Sequence, residues 1–227
     1  MLRCLTIVAA LAVCSAASLS AQRTRDLTPY LMSDRSAEIA LARTAAPKSI
    51  ADSAAVLVLT KTGYVNAARG TNGFICLVQR SFFAAIGDSS FWAPAIRAPI
   101  CLNPPAVRTV LPEMLKRTEW IMAGASTDEV AKRTRRAYVS HELPRPAAGS
   151  MGYMLSPEQH LAEVNPHWVP HLMFWFDNSL PPGVWGLGDV NNTILDGTPR
   201  DSVSPIRLLL IPVRRWSDGT PALPTGR

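Results

Sequence analysis

The chain has 227 residues, of which 48% are hydrophobic and 18% charged, and a formal net charge of +6. That apolar content is enough for a real core, so wholesale disorder is excluded, and the length suits one domain or two very small ones. With 19 Pro and 13 Gly the chain is interrupted too often for a helical bundle, a coiled coil or a solenoid, and it carries no internal repeat.

The first 21 residues read as an export signal. Met1-Leu2-Arg3 is a short positive start, Cys4 to Cys14 is unbroken apolar sequence, and small residues from Ser15 to Ala21 precede polar Gln22-Arg23. This three-part layout is that of a secretory signal peptide cleaved after Ala21, and its apolar part is too short for an anchor. A lipoprotein leader acylated at Cys14 is the rival, weakened by the branched Val13 in front of it. Beyond residue 21 no apolar run approaches the ~20 residues of a transmembrane helix. Cleavage leaves Cys76 and Cys101, which in an oxidising compartment are expected to form one disulfide.

Gln22 to Tyr30 is polar and is expected to be a loose N-terminal arm to a single α+β domain spanning 22–227. Ser33 or Asp34 can cap a short helix over Arg35 to Thr44, ended by Pro47. Three strand-like runs follow, Ala55–Leu59, Tyr64–Ala68 and Phe74–Val78, separated by Lys61-Thr62-Gly63 and Arg69-Gly70-Thr71-Asn72-Gly73. Two glycine-containing turns between short strands predict a three-stranded antiparallel meander, with Cys76 tying its third strand to the following loop. Residues 81–105 form a long connection without a clear pattern. Val110, Leu111, Met114, Leu115, Ile121 and Met122 then recur at helical spacing up to Gly124. Ser126-Thr127-Asp128-Glu129 has the form of a capping box that opens a second helix to about Ser140. Two helices so close in sequence are expected to form a hairpin laid on the sheet. Met151–Leu155, His171–Phe176 and Ile206–Val213 read as C-terminal strands, the middle one buried on both faces. The fold class is therefore α+β with a mainly antiparallel sheet.

Motifs for nucleotide, dinucleotide and serine-hydrolase chemistry are absent, and Asp189-Val190-Asn191-Asn192-Thr193 lacks the glycine and the final glutamate of a calcium loop. The basic run Lys132 to Arg136 fits the solvated face of a helix, and no nucleic-acid-binding motif accompanies it. All four histidines fall between positions 141 and 171. His160, His167 and His171 are candidate ligands for a divalent metal such as zinc, with Glu158 or Glu163 as a base. Pro166 and Pro170 exclude an ordinary helical pairing of His167 with His171. His141 either joins that site or caps the second helix. Trp185, in a Gly- and Pro-rich loop, is the candidate ligand contact among the C-terminal aromatics.

Two function classes follow. One is a non-catalytic envelope or extracellular module that binds a small molecule, glycan or partner protein. The other is a metal-dependent hydrolase built on the histidines. In both, the mature chain is exported to the periplasm or beyond, and its site is where these polar or aromatic residues converge.

Overall fold

A computed structural model describes residues 25–162, 168–179, 181–187, 189, 192–199 and 203–222. The leader at 1–21, His167 and Glu163 lie outside the described residues. None of the described helices is long and apolar enough to cross a membrane.

From residue 25 on, the segment expected to be a loose arm is docked. Thr28–Tyr30 forms a 3-10 turn, and Tyr30, 2% exposed, packs on Phe82 with ring centroids 4.6 Å apart. Arg25 stacks over Trp92. Polarity misleads here, because Pro29 and Tyr30 are anchored through their carbonyls, which accept from Arg97 and Arg80.

Helix α1 (Arg35–Arg43) starts where Asp34 accepts hydrogen bonds from the Ser36 and Ala37 N–H groups, as its sequence predicts. A short helix α2 (Lys48–Ala51) follows Pro47. Strands β1 (Ala55–Thr60) and β2 (Gly63–Ala68) pair as a hairpin through Lys61-Thr62, with Gly63 at φ +120°. Strand β3 (Ile75–Gln79) then departs from the expected meander. It lies on the other side of β1 and pairs with it in parallel, Val56 opposite Cys76.

The connection explains why. Residues 69–74 cross the N-terminal end of β1, where Thr71 donates to Ser53 O and Ala55 donates to Phe74 O. A Cβ on Gly70 would sit 2.1 Å from the Ala55 nitrogen. The glycine is there for a close backbone crossing, and in sequence that demand looks the same as a hairpin turn.

Strand β4 (Ala98–Leu102) returns antiparallel to β3, and Cys76 faces Cys101 across the pair, Cα atoms 4.0 Å apart. The disulfide is present as expected, but it joins two neighbouring strands rather than a strand to a loop. In the chain-entropy description, a closure of this length contributes about 3 kcal/mol.

Helix α3 (Pro104–Thr109) is capped by Asn103, and α4 (Leu111–Met122) carries Pro112 in its first turn. Gly124, at φ +88°, follows its end. Helix α5 (Thr127–Val139) opens with the Ser126/Glu129 capping box. It packs on α4, whereas α4 contacts the sheet at β2. The helix pair is thus not the only cover, because α1 packs on β1, β3 and β4.

Strands β5 (Met151–Met154), β6 (His171–Asp177), β7 (Leu195–Asp196) and β8 (Ile206–Pro212) complete one eight-stranded sheet. Its order is β2-β1-β3-β4-β5-β6-β8-β7, and every pairing except β1–β3 is antiparallel. The fold is α+β with a mainly antiparallel sheet. Strand alternation divides the core. Val56, Cys76, Val78 and Cys101 face α1 and α2, while Leu57, Leu77, Ile100 and Trp175 face α3 and α4. Strand β6 is less buried than its sequence suggests, with only His171 and Trp175 fully covered.

Candidate functional site

A cavity of about 110 Å³ lies between α4 and the second face of the sheet. Helical spacing places Val110, just before α4, with Glu113, Met114 and Arg117 on one side of it. The sheet supplies Gln79 from β3, Met173 and Trp175 from β6, and Ile206 and Leu208 from β8. Phe83, Pro199 and Ser204 complete the wall. Gly152 makes room for the Trp175 indole, because a Cβ there would lie 2.9 Å from the ring.

Charge enters this apolar space at one place. Glu113 and Arg117 are four residues apart, their side chains 10% and 4% exposed, and they approach to 3.5 Å. Glu113 is well supplied with donors. Its Oε2 accepts from the Tyr138 hydroxyl at 2.7 Å, and its Oε1 accepts from Ser204. Burial, then the Glu113 charge and hydrogen bond, push the Tyr138 hydroxyl far above its ordinary range, so it stays a donor.

Arg117 is less complete. One terminal nitrogen donates to Ala84 O at 3.2 Å, the other makes the long contact to Glu113, and the buried Nε–H has no acceptor. Nearby, Gln79 donates to the Met114 sulfur, a weak acceptor. Two residues that line the cavity therefore carry donors that the protein uses weakly or not at all, the Arg117 Nε–H lying buried behind the open surface. A buried donor without a partner costs ~1–3 kcal/mol, which an incoming acceptor can recover.

The sequence-predicted residues are placed elsewhere. His171 begins β6 opposite Met154 and Pro212, its Nδ1 2.9 Å from Val169 O and its ring 4.6 Å from that of Trp168. Burial pulls its pKa down, partly opposed by the Val169 carbonyl. His160 pairs through its backbone with Arg97, and Glu158 is exposed in a turn. Among the described residues no three His, Cys, Asp or Glu side chains gather as a metal-ligand set. His141 follows α5 in the left-handed conformation at φ +59°, where Leu143 N–H reaches back to Ala137 O, so it belongs to the helix terminus. Trp185 is half-buried against Phe176, ring centroids 4.5 Å apart, and is not part of the cavity wall.

Sequence reasoning passed over Glu113, Arg117, Tyr138 and Ser204. One signal was available: two charges at i and i+4 on the apolar side of a helix that also holds Val110, Met114 and Ile121. The chain matches no protein-family model, no curated protein and no solved structure.

Proposed function

We propose that the protein is an exported, non-catalytic module that binds a small molecule in the cavity beside α4. The observation that carries this reading is the pairing of an apolar cavity with a buried arginine whose Nε–H has no acceptor. Ligand sites are typically apolar pockets with a few placed polar groups, and this cavity has that composition. Export is supported by the leader pattern in residues 1–21 and by the Cys76–Cys101 disulfide, which suits an oxidising compartment. The same two features fit a periplasmic or extracellular location for one α+β domain over 22–227. A metal-dependent hydrolase on His160, His167 and His171 has no observation in its favour among the described residues. Trp185 as the ligand contact is not favoured either, since its ring is already packed on Phe176.

At about 110 Å³ the cavity is somewhat smaller than the ~150 Å³ that holds a benzene in a dry engineered cavity, so a ring-sized group is the upper limit of what it can take. A fragment of that size is expected to bind with a Kd of about 1 mM. Ligand-observed NMR on a fragment set, with wild type and a Val110→Phe variant side by side, tests the reading. Binding to wild type that is lost in the folded variant supports it. Fragments that bind both proteins equally, or neither, overturn it.

A further inference from the structure

The occupant's chemistry follows from how the cavity is charged, and this step rests on the binding reading above. We propose that the site selects a neutral, ring-sized ligand bearing a carbonyl or similar acceptor, and rejects its carboxylate counterpart. Arg117 would ordinarily invite an anion, but its charge is already balanced by Glu113 at 3.5 Å. Glu113 in turn is held by Tyr138 and Ser204, both donating to it. A ligand carboxylate would bring a second negative charge beside Glu113, whose side chain is only 10% exposed. A neutral acceptor avoids that repulsion and can partner the unused Arg117 Nε–H, which has no open surface as it stands and must turn to reach the cavity. The guanidinium can turn toward it, because its Glu113 contact is at the long limit of a hydrogen bond. A plain hydrocarbon fits the apolar walls but leaves the donor unpartnered.

Three probes of similar shape separate these cases: benzamide, toluene and benzoate, titrated at pH 7.5 and followed at protein resonances. The expected order in wild type is benzamide first, toluene next and benzoate last, with benzamide at least 10-fold tighter than benzoate. Glu113→Gln removes the balancing charge and keeps one acceptor oxygen, so one of Tyr138 and Ser204 keeps its bond while the other hydroxyl turns to accept from the amide NH2. In that variant the benzamide preference over benzoate should shrink by 10-fold or more, and benzoate should raise the variant's unfolding temperature. Wild-type selectivity decides the matter even if the variant folds poorly. Benzoate binding as tightly as benzamide, in a manner abolished by Val110→Phe, would overturn the neutral-ligand assignment while leaving the cavity as the site. No shift at cavity residues with any of the three would overturn both.

Discussion

Among the described residues two arginine–glutamate pairs are buried, and the contrast between them locates the site. Arg80 and Glu38 meet at 2.7 Å with side chains 0% and 2% exposed. Every part of that guanidinium is used: Nε donates to Tyr30 O, one terminal nitrogen to Val78 O and the other to Glu38, which also accepts from Leu59 N–H. The pair ties α1 and the N-terminal turn to β1 and β3. Arg117 and Glu113 are almost as buried, but they touch only at 3.5 Å, leave Nε without an acceptor and border a cavity. A buried ion pair is thus not in itself a sign of a site. What distinguishes the second is unfinished hydrogen bonding beside open space, whereas the first is a closed joint.

The sharpest way to break the comparison is to open the closed pair. Arg80→Met leaves Glu38 charged and uncompensated, and is expected to cost about 3–5 kcal/mol in denaturant unfolding. A loss under ~1 kcal/mol would show that the closed joint is not structural. Removing the neighbouring disulfide with Cys76→Ser/Cys101→Ser should cost about 3 kcal/mol. It should leave probe binding at the cavity unchanged, because Cys76 and Cys101 face α1 rather than α4. A large loss of probe affinity in the folded variant would mean that the two faces are coupled.

Replacing the open pair as a unit should be far milder. Arg117→Met/Glu113→Gln gives up the bond to Ala84 O and one of the two carboxylate acceptors, with one hydroxyl turning to accept from the amide NH2, so a loss of about 1–2 kcal/mol is expected. The same double change should abolish the preference for a neutral acceptor over toluene.

The smallest effect concerns His171, another buried polar group. Its folded pKa lies below the unfolded value of about 6.5. The unfolded chain therefore binds the proton more readily. Stability from this group is fully present above pH ~6.5 and falls as the pH drops toward the folded pKa. Unfolding measured between pH 7.5 and 5 should show that decline in wild type, and His171→Gln should flatten it. An equal slope in both proteins would remove His171 as its source.

Much of the local structure was legible because its cause is local. Asp34 before α1, the Ser126/Glu129 box before α5 and the two-residue turn between β1 and β2 act within four residues of themselves. The disulfide was legible because two cysteines remain once a leader is set aside. Gly70 was not, because a crossing and a turn make the same request of the backbone. Short elements such as α2 and β7 carry too few residues for a periodic pattern. The cavity was out of reach for a different reason. Glu113 meets Tyr138 across 25 positions and Ser204 across 91, contacts that exist only once α4, α5 and β8 have packed. The histidines drew attention by residue type and crowding, yet His171 spends its Nδ1 on a local carbonyl and His160 contributes its backbone to a strand bridge.

The central claim is that a small neutral molecule enters beside the unfinished pair, and methionine gives the most direct view of it. Met114 and Met173 line the cavity, whereas Met32 and Met122 lie elsewhere. In protein labelled with ¹³C at methionine methyl groups, benzamide should move the Met114 and Met173 signals in a saturable way and leave those of Met32 and Met122 in place. Unmoved Met114 and Met173 signals, or shifts confined to the other methionines, would contradict the account.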